Sequence, residues 1–231
     1  MTHPDDRVAV ITGAGGAIGA ALARACAIDA FRVLPVYRRP GGETGADALF
    51  GDLGSATDVE VLCGRLGALE RLSLLVHAAG DYDRGPIEAI PVRRLEHLYQ
   101  VNVAAAYALT RAALPALRRA GGTVVFLNSS VVDQGRPANV TPYAMTKAAL
   151  RALADGLRAE ENRNGVGVLS VYPGRTAGAL QERLHQHEGR RYAAEDLLQP
   201  ADVARAVLDA IALPPTAEVT DLHLRPRRSP A

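Results

Sequence analysis

A chain of 231 residues, 48% apolar and 22% charged, is long enough to bury a substantial core in one α/β domain. Its net charge of +1 removes the electrostatic case for nucleic acid or an anionic membrane surface, and leaves small soluble molecules as the expected partners. No run approaches the ~20 apolar residues that cross a bilayer, no basic-then-apolar leader precedes the first strand, and Cys26 and Cys63 lack CxxC spacing, so a reduced, cytoplasmic protein is expected.

The first strand is read at 7–12 (RVAVIT), followed by a helix from about 17 to 29 and a strand at 32–37. A short strand near 48–50, a helix around 55–68 and a strand at 72–78 continue the alternation. A long helix is predicted at about 92–119, with Pro115 as a kink or end point. Then come a strand at 122–128, a helix at about 142–162, a strand at 166–172, a helix at 201–212 and a last strand near 217–224. Seven strands alternating with helices predict a Rossmann-like, doubly wound parallel sheet covered on both faces, with the whole of 1–231 as one domain. Residues 173–199 carry charge without a strong period. They are expected to form a loop with some helix, a mobile substrate flap over about 175–199, because ligands bind at the carboxyl ends of such strands. The basic, proline-rich tail at 225–231 reads as a frayed terminus or an anion contact.

Directly after the first strand, TGAGGAIG at 12–19 opens a helix. The spacing is not GxGxxG, since five residues separate Gly13 from Gly19. Even so, a strand, a glycine turn and a helix N-terminus together offer backbone N–H groups and a positive dipole end to a pyrophosphate. Gly13 permits the turn, Gly16 and Ile18 present backbone, and the small Ala17 and Gly19 allow close approach. A glycine turn needed only for packing the helix on the strand is the competing reading.

The second strand ends VYRR, so Tyr37, Arg38 and Arg39 stand where a carboxylate would select a free ribose 2′-hydroxyl. Arginine forks instead suit a 2′-phosphate, which points to NADP(H). Asp52 and Leu53 in GDL follow the third strand; Asp52 is a candidate acceptor for adenine, with helix capping as its competitor.

Of the 26 basic residues, 25 are arginine and Lys147 is the only lysine. It lies in TPYAMTK, where Thr141 can cap a helix and Pro142 suits its first position. Tyr143 and Lys147 are then one turn apart on one face. An ammonium there favours the phenolate of a group with reference pKa ~10, and its compact, rotatable head can also donate to ribose hydroxyls.

TGAGGAIG at 12–19, AAG at 78–80, Asn102 in QVNV, NSS at 128–130, YAMTK at 143–147 and YPG at 172–174, in this order, closely resemble the short-chain dehydrogenase/reductase family over essentially the whole chain. The resemblance implies Tyr143 as the catalytic acid/base and Lys147 as its phenolate-stabilising, ribose-binding partner. It implies Ser130, thirteen residues before Tyr143, as the donor to the substrate carbonyl, ahead of Ser129. Asn102 would position the long helix and a water leading to Lys147. Ala79 and Gly80 would let backbone approach the cofactor, Pro173 and Gly174 would border the nicotinamide, and Thr176 would hold its carboxamide. His77 stands where the family usually begins NNAG, and reads as a structural histidine rather than a second base.

The expected activity is NADP(H)-dependent interconversion of a carbonyl and an alcohol, with a cofactor-sensing binding protein as the alternative and an extended-family epimerase or dehydratase disfavoured. The flap's His185, His187, Arg190 and Arg191 could make a cationic mouth, but Glu182 and Glu188 dilute the charge and a solvated stretch is the expectation. No metal is expected, because the two histidines lack a third ligand. Pairing through the two long helices into a homodimer or homotetramer is implied by the resemblance.

Overall fold

The computed structural model describes residues 7–41, 45–133, 138–214 and 216–227; the expected basic tail lies outside the described residues from 228 on. The strands are β1 (Val8–Thr12), β2 (Arg32–Tyr37), β3 (Leu49–Phe50), β4 (Leu74–His77), β5 (Thr123–Leu127), β6 (Gly167–Pro173) and β7 (Asp221–Leu224). All pair in parallel in one sheet of order β3-β2-β1-β4-β5-β6-β7. The order reverses between β1 and β4, and at such a switch point the loops leaving two adjacent strands diverge and leave a crevice.

The helices are α1 (Ala17–Ile28), α2 (Ala56–Gly67), α3 (Val92–Tyr99), α4 (Ala105–Ala120), α5 (Thr141–Glu161), α6 (Ala179–His187) and α7 (Pro200–Ile211). They cover both faces, which is why all five residues of β1 are apolar or buried regardless of parity. One core joins Val10, Leu75, Val124 and Phe126 to Leu62, Leu109 and Leu150 of α2, α4 and α5. The other joins Ile11, Val76 and Val171 to Leu22 of α1 and Val207 of α7. No helix among the described residues is long and apolar enough to cross a membrane.

Several boundaries differ from the sequence reading, and the last strand, read near 217–224, starts only at Asp221. The predicted helix at 92–119 is α3 and α4 joined by a π-helical turn, Gln100–Ala104; one wide turn inside a helical run is too short a stretch for the apolar period to reveal. Pro115 does not end α4, which runs on to Ala120 and stops at Gly121 in the left-handed region (φ 59°). Thr141 is the first residue of α5 rather than its cap; Val140 takes that position and no side chain caps the helix. Within the flap, α6 supplies the helix that the charge pattern only hinted at.

Candidate active site

The glycine turn sits at the switch point. Gly13 has φ +68°, and a Cβ there would lie 2.6 Å from the backbone of Ala79, in the loop after β4. At Gly19 a Cβ would lie 2.2 Å from the Gly13 carbonyl. Ala14 N–H donates to Val36 O (3.2 Å), tying the turn to the end of β2. Thr12 Oγ1 accepts from Ala79 N–H (3.2 Å) and donates to Val76 O (3.2 Å), tying it to β4. The N-terminus of α1 has no capping side chain and no acid in its first turn. Backbone N–H groups with no side-chain competitor, in a cradle that a side chain would fill, fit a bound pyrophosphate.

Tyr37 ends β2 beside this turn, with its ring 3.6 Å from where a Gly15 Cβ would be; Arg38 and Arg39 follow it and are exposed. Asp52 Oδ1 accepts from Gly54 N–H (2.9 Å) in a local turn, while the cap of α2 is Ser55, whose hydroxyl accepts from Asp58 N–H (3.3 Å). Asp52 is thus partly committed to its own loop, without being the helix cap, and Leu53 beside it is buried.

At the other side of the crevice, Asn102 sits in the π-helical turn, 2% exposed. Its Oδ1 accepts from Asp81 N–H (2.7 Å), and its Nδ2 donates to Asp81 O (2.9 Å) and Thr146 Oγ1 (2.9 Å). Thr146 in turn donates to Tyr143 O (2.8 Å). The amide therefore fastens the loop after β4 to α5, one residue from Lys147. A Cβ at Gly80 would come within 3.3 Å of Asn102 Oδ1 and 3.7 Å of Lys147 Nζ, so these three residues converge. Thr146 and Asp81 were not singled out in the sequence, because a buried hydroxyl one residue before a motif lysine has no local signature.

Lys147 is 4% exposed and donates to Leu127 O at 2.8 Å. Burial pulls its ammonium down to about 8. Its Nζ lies 5.8 Å from the centre of the Tyr143 ring. The Tyr143 phenol is pushed up to about 12, first by burial, with a Ser129 hydrogen bond acting to lower it and Tyr82 to raise it. Lys147 is not among the groups that move this phenol, its ammonium being held on the Leu127 carbonyl.

The serine in contact with Tyr143 is Ser129, one residue earlier than the family spacing assigns. Ser129 is extended (φ −159°, ψ 146°) and its hydroxyl also accepts from Val131 N–H (3.3 Å), whereas Ser130 begins a 3₁₀ turn. Alternation of side chains along an extended strand end puts only one of two neighbouring hydroxyls on a given face. Both serines are half-buried. Over Tyr143 lies Tyr82, edge-on at 4.8 Å between ring centres, in an apolar cluster with Val131, Val140 and Ala144.

Pro173 ends β6; Gly174 N–H donates to Leu224 O (2.7 Å), and Thr176 Oγ1 donates to Gly174 O (3.0 Å). The flap starts against the glycine turn, where a Cβ at Gly178 would meet Ala17 Cβ at 2.8 Å. Its charges are not uniformly solvated. Glu188 is 14% exposed and bonded by Arg84 and by Arg175 Nη2 (2.9 and 3.0 Å). His185 is buried, with Nδ1 2.7 Å from Gln181 O. With Arg190 and Arg191 it lines a cavity of about 370 Å³ that also has Glu195 and Asp196 on its walls. His77 is buried, bonded to Thr110 Oγ1 (2.8 Å), stacked on Phe126, and held down to about 3 by burial, which suits structure rather than proton transfer. No group of three metal-ligating side chains occurs among the described residues.

Comparison with known proteins matches residues 7–189 to the short chain dehydrogenase family model. The chain is 27% identical to dehydrogenase/reductase SDR family member 11 of Bos taurus, covering 96% of each. It is 28% identical to the L-fucose dehydrogenase of Mus musculus, covering 80% of this chain and 70% of that one. Among solved structures it is similar to an alcohol dehydrogenase from Thermococcus sibiricus complexed with 5-hydroxy-NADP, at 25% identity and TM-score 0.81, covering 97% and 99% of the two chains.

Proposed function

The chain belongs to the short chain dehydrogenase family, and on that premise we propose that it transfers hydride between NADP(H) and a carbonyl or secondary alcohol. The observation that carries this reading is the convergence of Tyr143, Lys147, Asn102 and Gly80 beside an uncapped glycine cradle at the switch point of the sheet. The cofactor supplies the hydride chemistry.

The residues of the chain supply position and proton. In reduction Tyr143 gives its hydroxyl proton to the carbonyl oxygen, and in oxidation it takes that proton back. A phenol held near 12 is a proton donor that stays loaded at neutral pH. A seryl hydroxyl donates to the same oxygen as charge develops; Ser130 has the family spacing and Ser129 has the contact. Lys147 turns its ammonium to the ribose and the phenol, and Asn102 holds the loop after β4 at Asp81. Gly13, Gly16, Ala17, Ile18 and Gly19 take the pyrophosphate; Asp52 and Leu53 border the adenine. Ala79, Pro173, Gly174 and Thr176 line the path to the nicotinamide.

Tyr143→Phe should lower kcat by about 10²- to 10⁴-fold, the range for loss of a general acid, with cofactor binding retained. Unchanged turnover would remove Tyr143 from the chemistry. The choice of NADP(H) rests on exposed Arg38 and Arg39 at the end of β2. An Arg38→Asp change should reverse the ratio of kcat/KM for NADPH over NADH; an unaltered ratio would assign the preference elsewhere. A cytoplasmic setting and a homodimer or homotetramer complete the proposal, the latter through the apolar face of α3 and α5.

A further inference from the structure

The loop after β4, the loop after β6 and the flap meet in one ionic cluster beside the active site. Arg84 comes from the first, Arg175 from the second, and Glu188 from the residue after α6. Residues 84 and 188 lie 104 positions apart in sequence, yet they are bonded. Glu188 is 14% exposed against 30% for Arg84 and 33% for Arg175, so the carboxylate is the enclosed member. Burial works against its ionised form, and the hydrogen bonds from the two arginines outweigh that and hold its carboxyl below the usual range.

The cluster adjoins the catalytic tyrosine through one side chain. Burial raises the Tyr82 phenol, and the charges of Arg84, Glu188 and Arg175 then act on it in turn. The Tyr82 ring itself stands 4.8 Å from that of Tyr143. Asp83, which also acts on Tyr82, is already bonded by Arg94 Nε (2.6 Å), as is Asp81 by Arg94 Nη1 (2.7 Å). Arg94 is thus shared between two carboxylates, whereas at the neighbouring cluster two guanidinium groups face the single carboxylate of Glu188. Arg190 Nη1 lies 3.8 Å from the same carboxylate. Finally, Arg175 Nη1 is a buried nitrogen with no hydrogen-bond partner, a donor left over after Glu188 has been served, and buried donors are seldom left so.

We propose that Arg84 and Arg175 form the anion subsite of the active site, that the substrate is a carbonyl compound or alcohol carrying a carboxylate, and that Glu188 holds the place of that carboxylate until the substrate displaces it. This rests on the proposed function and names its substrate class. Paired arginine forks match a carboxylate in geometry as well as charge. The charges of the subsite act on Tyr82, whose ring packs on that of Tyr143, so the proposal sets the carboxylate of the substrate several carbons from its reacting carbonyl. Displacement also releases one tie of the flap, since Glu188 joins the end of α6 to both loops while Leu198 stays paired with Arg175 and Ala177.

The test is isothermal titration of the unmutated protein, with NADP⁺ present, against methyl ketones ending in a carboxylate, from the γ- to the ε-keto acid, and against their methyl esters. The best acid should bind about ten- to a hundredfold more tightly than its ester, as expected for charge-assisted hydrogen bonds. Arg175→Gln should erase that difference, and Glu188→Gln should tighten the acid while leaving the ester unchanged. Equal affinity for acid and ester in the unmutated protein overturns the subsite, as does weaker acid binding in Glu188→Gln. Failure of the hydride-transfer reading is a separate result: neither acid nor ester would then support Tyr143-dependent oxidation of NADPH, whatever their affinities.

Discussion

Lys147 is set apart from the other cations of the chain by three properties. It is the only lysine in the chain, it is 4% exposed, and burial brings its ammonium to about 8. A guanidinium stays charged at any accessible pH and would need to satisfy five donors where the structure offers Leu127 O. The Lys147 charge, by contrast, is present below about 8 and lost above it. If the ammonium grips the ribose, kcat/KM for NADPH, which reports the free enzyme, should fall along an alkaline limb centred near 8. Lys147→Arg should abolish that limb and lower kcat by about 10²-fold through misplacement. An unchanged limb in the variant would assign the titration to another group.

At the scale of elements, α5 is held from both ends. Near its start, Asn102 and Thr146 fasten it to the loop after β4. At its end, Arg118 of α4 donates to Glu161 from Nε (2.8 Å) and Nη2 (2.5 Å), and Asn164 adds a third bond (2.9 Å). The Arg118 hydrogen bond is the main reason that the Glu161 carboxyl is held at about 2. Its folded value is below the ~4.3 of an unfolded glutamate, so this contribution is present above ~4.3 and lost as pH falls towards about 2. Glu161→Gln should lower stability at neutral pH by ~1–3 kcal/mol and make urea unfolding less sensitive to pH across that window. A variant with the same acid sensitivity would show that other carboxylates dominate.

The same elements show what a linear reading can reach. Strands and helices follow from local period, and the glycine turn and YAMTK are contiguous, so all could be read before any fold was known. The π-helical turn could not, since it alters the count of a helical turn without altering the type of residue. Of the two readings of Pro115, the end point fails, because α4 continues past it to a glycine stop. The choice between Ser129 and Ser130 depends on which face of an extended segment meets Tyr143, and a one-residue offset is invisible to spacing. Tyr82 over Tyr143 and Glu188 between Arg84 and Arg175 join distant segments, and nothing in the charge pattern of the flap announces which glutamate is enclosed.

At the scale of the whole molecule, the face carrying α3 and α5 exposes large apolar side chains among the described residues. Val92, Tyr99 and Met145 are 70%, 48% and 53% exposed, and Leu95, Tyr99, Met145 and Ala148 line a cavity of about 640 Å³. A contiguous apolar surface of this kind marks an interaction site, and it suits the proposed pairing of two copies. Light scattering should give a mass at least twice the 24.3 kDa of the chain, and Tyr99→Arg should return it to that of the chain. A monomeric unmutated protein would refute the pairing.

The lone lysine also makes the chain an unusual substrate for a lysine-specific protease. There is one bond to cut, between Lys147 and Ala148, and it lies inside α5 behind a side chain that is 4% exposed. Fraying ends and surface loops contribute nothing to such a digest, because none of them holds a lysine. The appearance of two fragments therefore times the opening of the proposed catalytic helix itself, and any ligand that holds this helix in place registers as protection of a single peptide bond.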